Sequence, residues 1–143
     1  LFETVVVKVE ECLEDFHPQG LANIVWALAT NNQRSPKLFE AVAEKVEKRV
    51  EDFSLQGLAN TVWAYSALDQ RAPNLFEAVA ENVEDCLEDF QPQELTNIAW
   101  AFATLAHRAS ELFAALAEEV EQRLEDFEPL IIANIVWAFA TLD

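Results

Sequence analysis

The sequence predicts an all-α protein, an α-solenoid of four tandem 37-residue helix-turn-helix repeats, and three observations predict it. The four tryptophans stand at Trp26, Trp63, Trp100 and Trp137, each 37 residues after the last. Leu-Phe pairs recur in one register at Leu1-Phe2, Leu38-Phe39, Leu75-Phe76 and Leu112-Phe113, and Glu-Asp-Phe returns with them, ending at Phe16, Phe53, Phe90 and Phe127. Copies two and three agree at 20 of 37 positions. Self-similarity at such a period marks a stacked array, because one helical hairpin cannot bury its apolar faces alone. The units 1–37, 38–74, 75–111 and 112–143 form a single solenoid fragment, with a right-handed superhelix expected.

The first helix of a unit is read over residues 38–53 in the second copy, LFEAVAEKVEKRVEDF. Phe39, Val42, Val46, Val50 and Phe53 lie along one face at helical spacing, which predicts its buried stripe. A second stripe is acidic: Glu40, Glu44, Glu47 and Glu51, then Glu77, Glu81, Glu84 and Glu88, then Glu118, Glu121 and Glu125. A third changes from copy to copy, with Lys45, Lys48 and Arg49 giving way to Asn82, Asp85 and Cys86. Both polar stripes are expected on the convex surface.

The second helix follows a short link. Ser54 suits an N-cap, and Pro18, Pro92 and Pro129 suit a first helical position, where no backbone N–H is needed. In the second copy the helix is expected to stop near Asp69, and the next unit opens at Pro36, Pro73 or a Ser110 cap. Leu21, Ile24, Val25 and Leu28 cover its apolar side.

The opposite side carries the candidate site. It collects Gln19, Asn23, Trp26 and Thr30; then Gln56, Asn60 and Trp63; then Gln93, Asn97, Trp100 and Thr104. The last unit keeps Asn134, Trp137 and Thr141, with Leu130 in the place of Gln. Asn disfavours helix and needs partners when buried, so it stands here for a reason beyond propensity. The tryptophans are expected to fill the space between units. The amides and hydroxyls either bond one another in that seam or line a groove, where such groups read base edges of single-stranded RNA. Arg34, Arg71 and Arg108 share one linker position. They either compensate a helix C-terminus, a contribution of ~0.3–1 kcal/mol, or hold one phosphate per unit.

Composition limits the alternatives. The net charge of −17 opposes phosphate binding, which draws on Lys and Arg. No apolar run reaches the ~18 residues of a membrane span. Cys12 and Cys86 fall two units apart, roughly 20 Å at the spacing of packed helices. A disulfide needs Cα atoms within about 7 Å, so free thiols and a reducing intracellular compartment are expected. The same distance rules out a shared metal site, and His17 and His107 lack ligand-spaced partners. No nucleophile-base pair or Gly-rich phosphate loop is present, so neither catalysis, a cofactor nor a small-molecule substrate is expected. The chain opens at Leu1 without a signal-peptide pattern. Val5-Val6-Val7 and Leu130-Ile131-Ile132 do not read as polar caps, so the array is expected to continue at both ends.

The run Leu21-Ala22-Asn23, followed by Trp26-Ala27 and Ala29, gives the pattern Q-x-L-A-N-x-x-W-A-x-A-x-L, partnered by LFEAVAE-type first helices. This resembles the octotricopeptide-repeat proteins of algae and other protists, and the related repeats of FAST-kinase-domain and RAP-domain proteins. The units are one residue shorter than that family's and lack its PPPEW signature. The resemblance implies a plastid or mitochondrial matrix factor that binds single-stranded RNA and governs its processing, stability or translation. It makes the second-helix polar positions and linker arginines RNA-facing. A protein-interaction scaffold, its acidic surface taking a basic partner, is the alternative.

Overall fold

The computed structural model describes residues 1–142. Its α-helices are α1 (Phe2–Glu11), α2 (Pro18–Thr30), α3 (Pro36–Lys48), α4 (Leu55–Ala67), α5 (Pro73–Val83), α6 (Pro92–Thr104), α7 (Ser110–Gln122) and α8 (Pro129–Leu142). They form two layers of an α-solenoid. The even-numbered helices stack closely in the order α2, α4, α6, α8, while the odd-numbered helices meet in a looser row. Small residues allow the close approach: Ala59 and Ala64 of α4, and Ala99, Ala101 and Ala103 of α6, are all buried. At Gly57 a Cβ would come within 3.8 Å of the Ala22 Cβ of the preceding α2.

The first helices are shorter than their apolar stripe implies. α3 stops at Lys48, Arg49 takes φ −129° and ψ 28°, and Val50–Asp52 form a 3-10 turn. Equivalent turns span Leu13–Asp15, Leu87–Asp89 and Leu124–Asp126. The tighter turn swings the next residue into extended backbone. That phenylalanine is thereby buried as Phe53, Phe90 and Phe127, so tertiary burial overrides helix propensity.

The second helices begin and end as their sequence directs. Ser54 Oγ accepts from Gly57 N at 3.0 Å, and Pro18, Pro92 and Pro129 take first positions. Ser110 is instead the first residue of α7, with Ala109 before it and no side-chain cap. Asn32, Asp69 and Ala106 adopt positive φ of 52–53° just past α2, α4 and α6. Gln33 N then donates to Leu28 O and Gln70 N to Tyr65 O, both at 2.8 Å, and His107 N to Phe102 O at 2.9 Å. These bonds satisfy carbonyls that a helix end leaves without partners.

The core runs continuously between the layers. Phe39, Val42 and Val46 are fully buried, as the apolar stripe requires. Phe39 meets Tyr65 edge-on at 4.8 Å, and Phe76 meets Phe102 at 4.8 Å. The Tyr65 hydroxyl donates to Phe39 O, satisfying the one polar atom of a ring otherwise sealed from water. Cys12 and Cys86 are free thiols. No helix among the described residues is long and apolar enough to cross a membrane.

Candidate functional site

Charge divides the molecule by layer. Across α2, α4, α6 and α8 the only charged side chain is Glu94, and its carboxylate accepts from Gln91 N at 2.8 Å to close a capping box. Among the described residues, the other acidic side chains lie on the odd helices and connectors. The negative charge that opposes a polyanion is thus segregated from the even-helix face.

That face presents the Gln-Asn-Trp-Thr stripe to solvent. Gln19, Gln56 and Gln93 are exposed; Asn23 and Asn134 are exposed, and Asn60 and Asn97 half-buried. Gln93 Nε2 donates to Asn97 Oδ1 at 3.0 Å, which orders the two amides along the helix. Thr30 and Thr141 are exposed and return their hydroxyls to Trp26 O and Trp137 O at 2.8 Å. Thr104 Oγ1 is enclosed without a hydrogen-bond partner. The stripe is most open in the two end units, at Asn23 and Asn134, and half-buried in the interior units, at Asn60 and Asn97.

The tryptophans depart from expectation. Trp26 and Trp137 are 45% and 48% exposed, and Trp63 and Trp100 are half-buried. None is fully buried: Trp63 packs against the edge of the core, whose interior is taken by aliphatic residues, aromatics and Ala. In the unit interior Leu58, Val62 and Tyr65 take the buried positions of α4, and Leu95, Ile98 and Phe102 those of α6. The tryptophans are left on the outer flank beside the amides. They belong with the candidate site, and residue type alone pointed the other way.

The linker arginines stand at the junction of the two layers, where Arg71 lines a furrow with Glu40, Glu44 and Glu47, and Arg108 one with Glu77, Glu81 and Glu84. Arg71 Nη1 donates to Leu105 O at 2.6 Å, and Arg34 Nη1 to Leu68 O, each acceptor lying at the end of the next unit's second helix. The helix C-terminus compensated is thus the neighbour's, not the arginine's own. Arg34 and Arg71 remain exposed beyond that contact, with further guanidinium N–H groups free of it, and Arg108 is exposed as well.

The odd-helix row is electrostatically graded. Between α1 and α3, Lys37 Nζ stands 3.6 Å from Glu10, and Lys45 pairs with Glu14. One unit later those lysines are Asn74 and Asn82, and after another unit Glu111 and Glu119. The furrow between α5 and α7 is lined by Glu77, Glu81, Glu84 and Glu111, with His107 and Arg108 at its end. Partial desolvation, then the carboxylates of Glu111, Asp85 and Glu81, push the Glu84 carboxyl up from its ordinary value. Burial first, and then the nearby Asp89, Asp85 and Glu88, push the Cys86 thiol up as well, which makes it a poor nucleophile.

Compared with known families, the chain matches, over residues 1–143, the model described as RNA-editing substrate-binding complex 6 protein. No curated protein matches it.

Proposed function

The chain belongs to the RNA-editing substrate-binding complex 6 protein family, and from that premise we propose that it is a single-stranded RNA-binding module of an organelle RNA-editing complex. The observation that carries this reading is the charge partition. In a chain of net charge −17, the even-helix face is free of carboxylates apart from the capped Glu94, and it is lined by amides, with arginines at its junction with the odd layer. Such groups suit unpaired RNA, whose bases offer hydrogen-bonding edges without a groove to enter. Gln19, Asn23, Gln56, Asn60, Gln93, Asn97 and Asn134 contact bases, with Thr30 and Thr141 at the far end of the stripe; the enclosed hydroxyl of Thr104 does not reach them. Arg34 and Arg71 hold phosphates with the N–H groups left over from their helix-end bonds, and Arg108 does so with its exposed guanidinium. The octotricopeptide-like pattern supports the same assignment. In this reading the module holds substrate and performs no chemistry of its own. A mitochondrial setting follows, since RNA-editing complex proteins are typically mitochondrial; the plastid alternative draws no support from the family.

The test is binding of a fluorescent single-stranded RNA pool across a salt series. Three phosphate contacts predict a slope of log affinity against log salt of about −2. Absence of salt-sensitive binding would sink the assignment.

A second reading is favoured by one observation, the uncompensated carboxylates between α5 and α7. As part of a complex, the module also offers this furrow to a basic segment of a protein partner. A lysine-rich peptide should bind there, and Glu84→Gln with Glu111→Gln should weaken it. Unchanged peptide affinity in that double variant would remove the reading.

A further inference from the structure

We propose that Trp26, Trp63, Trp100 and Trp137 are stacking platforms for successive unpaired bases, one per unit; this rests on the RNA-binding reading above. The rings are not part of the sealed core, although Trp63 packs against its edge. Its aromatic pairs are Phe39–Tyr65, Phe76–Phe102 and Phe113–Phe139, with His107 against Phe76 and Phe102, and no tryptophan joins them among the described residues. Trp26 and Trp137 stand about half in solvent in the end units, and Trp63 and Trp100 keep an exposed edge, so an indole edge meets water at one register of every unit.

The neighbourhood selects that ligand. Each indole follows an Asn by three residues on the same helix face, at Asn23, Asn60, Asn97 and Asn134. An aromatic plane with an amide one turn away can stack on a base and bond its edge together. The layer repels no polyanion, because it carries no charge beyond the capped Glu94. Successive second helices stand ~8–10 Å apart, a spacing at which helical repeats take one base each. The arginine row then follows the backbone while the indoles take the bases.

The test uses the intact 143-residue chain, a fluorescent single-stranded RNA and the same RNA carrying abasic sites. Base stacking predicts quenching of tryptophan emission by the intact RNA and little quenching by the abasic one. Trp63→Leu and Trp100→Leu each lower affinity about tenfold, since stacking by alanine substitution is of that order. The salt slope stays unchanged in both variants, because no phosphate contact is lost. Equal binding of intact and abasic RNA, without quenching, overturns the platform while leaving a phosphate-led RNA module standing; that comparison needs no variant to fold. Failure of the wild-type chain to bind either RNA overturns the platform and the RNA-binding reading together. Binding that survives both leucine variants with full affinity and full quenching assigns the stack to other residues and also overturns the platform.

Discussion

Arg71 reaches out of its own unit and donates from Nη1 to the carbonyl oxygen of Leu105, 2.6 Å away and 34 residues later in the chain. Arg34 does the same to Leu68. Each arginine therefore joins neighbouring units by meeting the negative end of the next second helix with a cation. Hydrogen bonds to charged groups contribute ~1.5–3 kcal/mol, and this one is partly open to water. Arg71→Ala is expected to lower unfolding free energy by about 1–2 kcal/mol. Chemical denaturation followed by circular dichroism measures it, and an unchanged midpoint would reduce the contact to a surface pairing.

Trp63 and Tyr65 stand two residues apart on α4 and differ in what removing them should do. Tyr65 is fully buried, edge-on to Phe39, with its hydroxyl bonded to Phe39 O. Burial pushes its phenol well above the usual range, so the group stays neutral. Tyr65→Ala is expected to cost about 3–5 kcal/mol, as truncation of a core aromatic does. Trp63→Ala should cost less, about 2 kcal/mol, since the ring packs only against the edge of the core and keeps part of its surface in water. Thermal melts of the two variants compare them directly. A Trp63→Ala loss as large as that of Tyr65→Ala would place the indole in the core.

The contrast between these two residues shows how far the sequence could be read. Helix starts at Pro18, Pro92 and Ser54 were legible because capping is local chemistry. So was the buried stripe of α3, because its period is 3.6. The flank taken by tryptophan was not legible. Burial preference argues for the core, whereas the stacked helices fill its interior with smaller residues and leave the indoles at its edge. The 3-10 turn at Val50–Asp52 was hidden for a similar reason: it follows from where Phe53 must be buried, not from the propensity of Val-Glu-Asp. The arginine partners were likewise invisible, since an inter-unit bond depends on stacking distance.

Gly20 offers a gain. It sits in the first turn of α2 with helical backbone, and a Cβ there would meet only Phe16 Cδ1 at 3.5 Å, an ordinary contact. Gly20→Ala is expected to stabilise by about 0.5–1 kcal/mol through the lost freedom of the unfolded chain. Gly57 is the equivalent position one unit on, and there the Cβ would lie 3.1 Å from Ser54 Oγ, the atom that caps Gly57 N. Gly57→Ala should therefore gain less than Gly20→Ala or lose stability. A larger melting-temperature gain for Gly57→Ala would contradict this account of the cap.

His107 should make the junction of the last two units pH-sensitive. Its ring lies 5.8 Å from that of Phe76 and 5.5 Å from that of Phe102, where the earlier units carry Gln33 and Gln70. Burial lowers its pKa below the ordinary 6.5, while Glu77 pulls weakly the other way. The unfolded chain then binds the proton more readily than the folded one. Stability from this group is complete above about pH 6.5 and is lost as pH falls through the folded value. The crowded carboxylates act in the opposite sense: a raised Glu84 makes folding less favourable as pH rises through the carboxylate range. Subtraction against His107→Gln separates the two, because that variant keeps every carboxylate. Melting temperatures of both proteins, taken from about pH 8 to about pH 5, should run parallel above 6.5 and diverge below it, with the wild type falling faster. Curves that stay parallel throughout would mean that the imidazole titrates freely in both states.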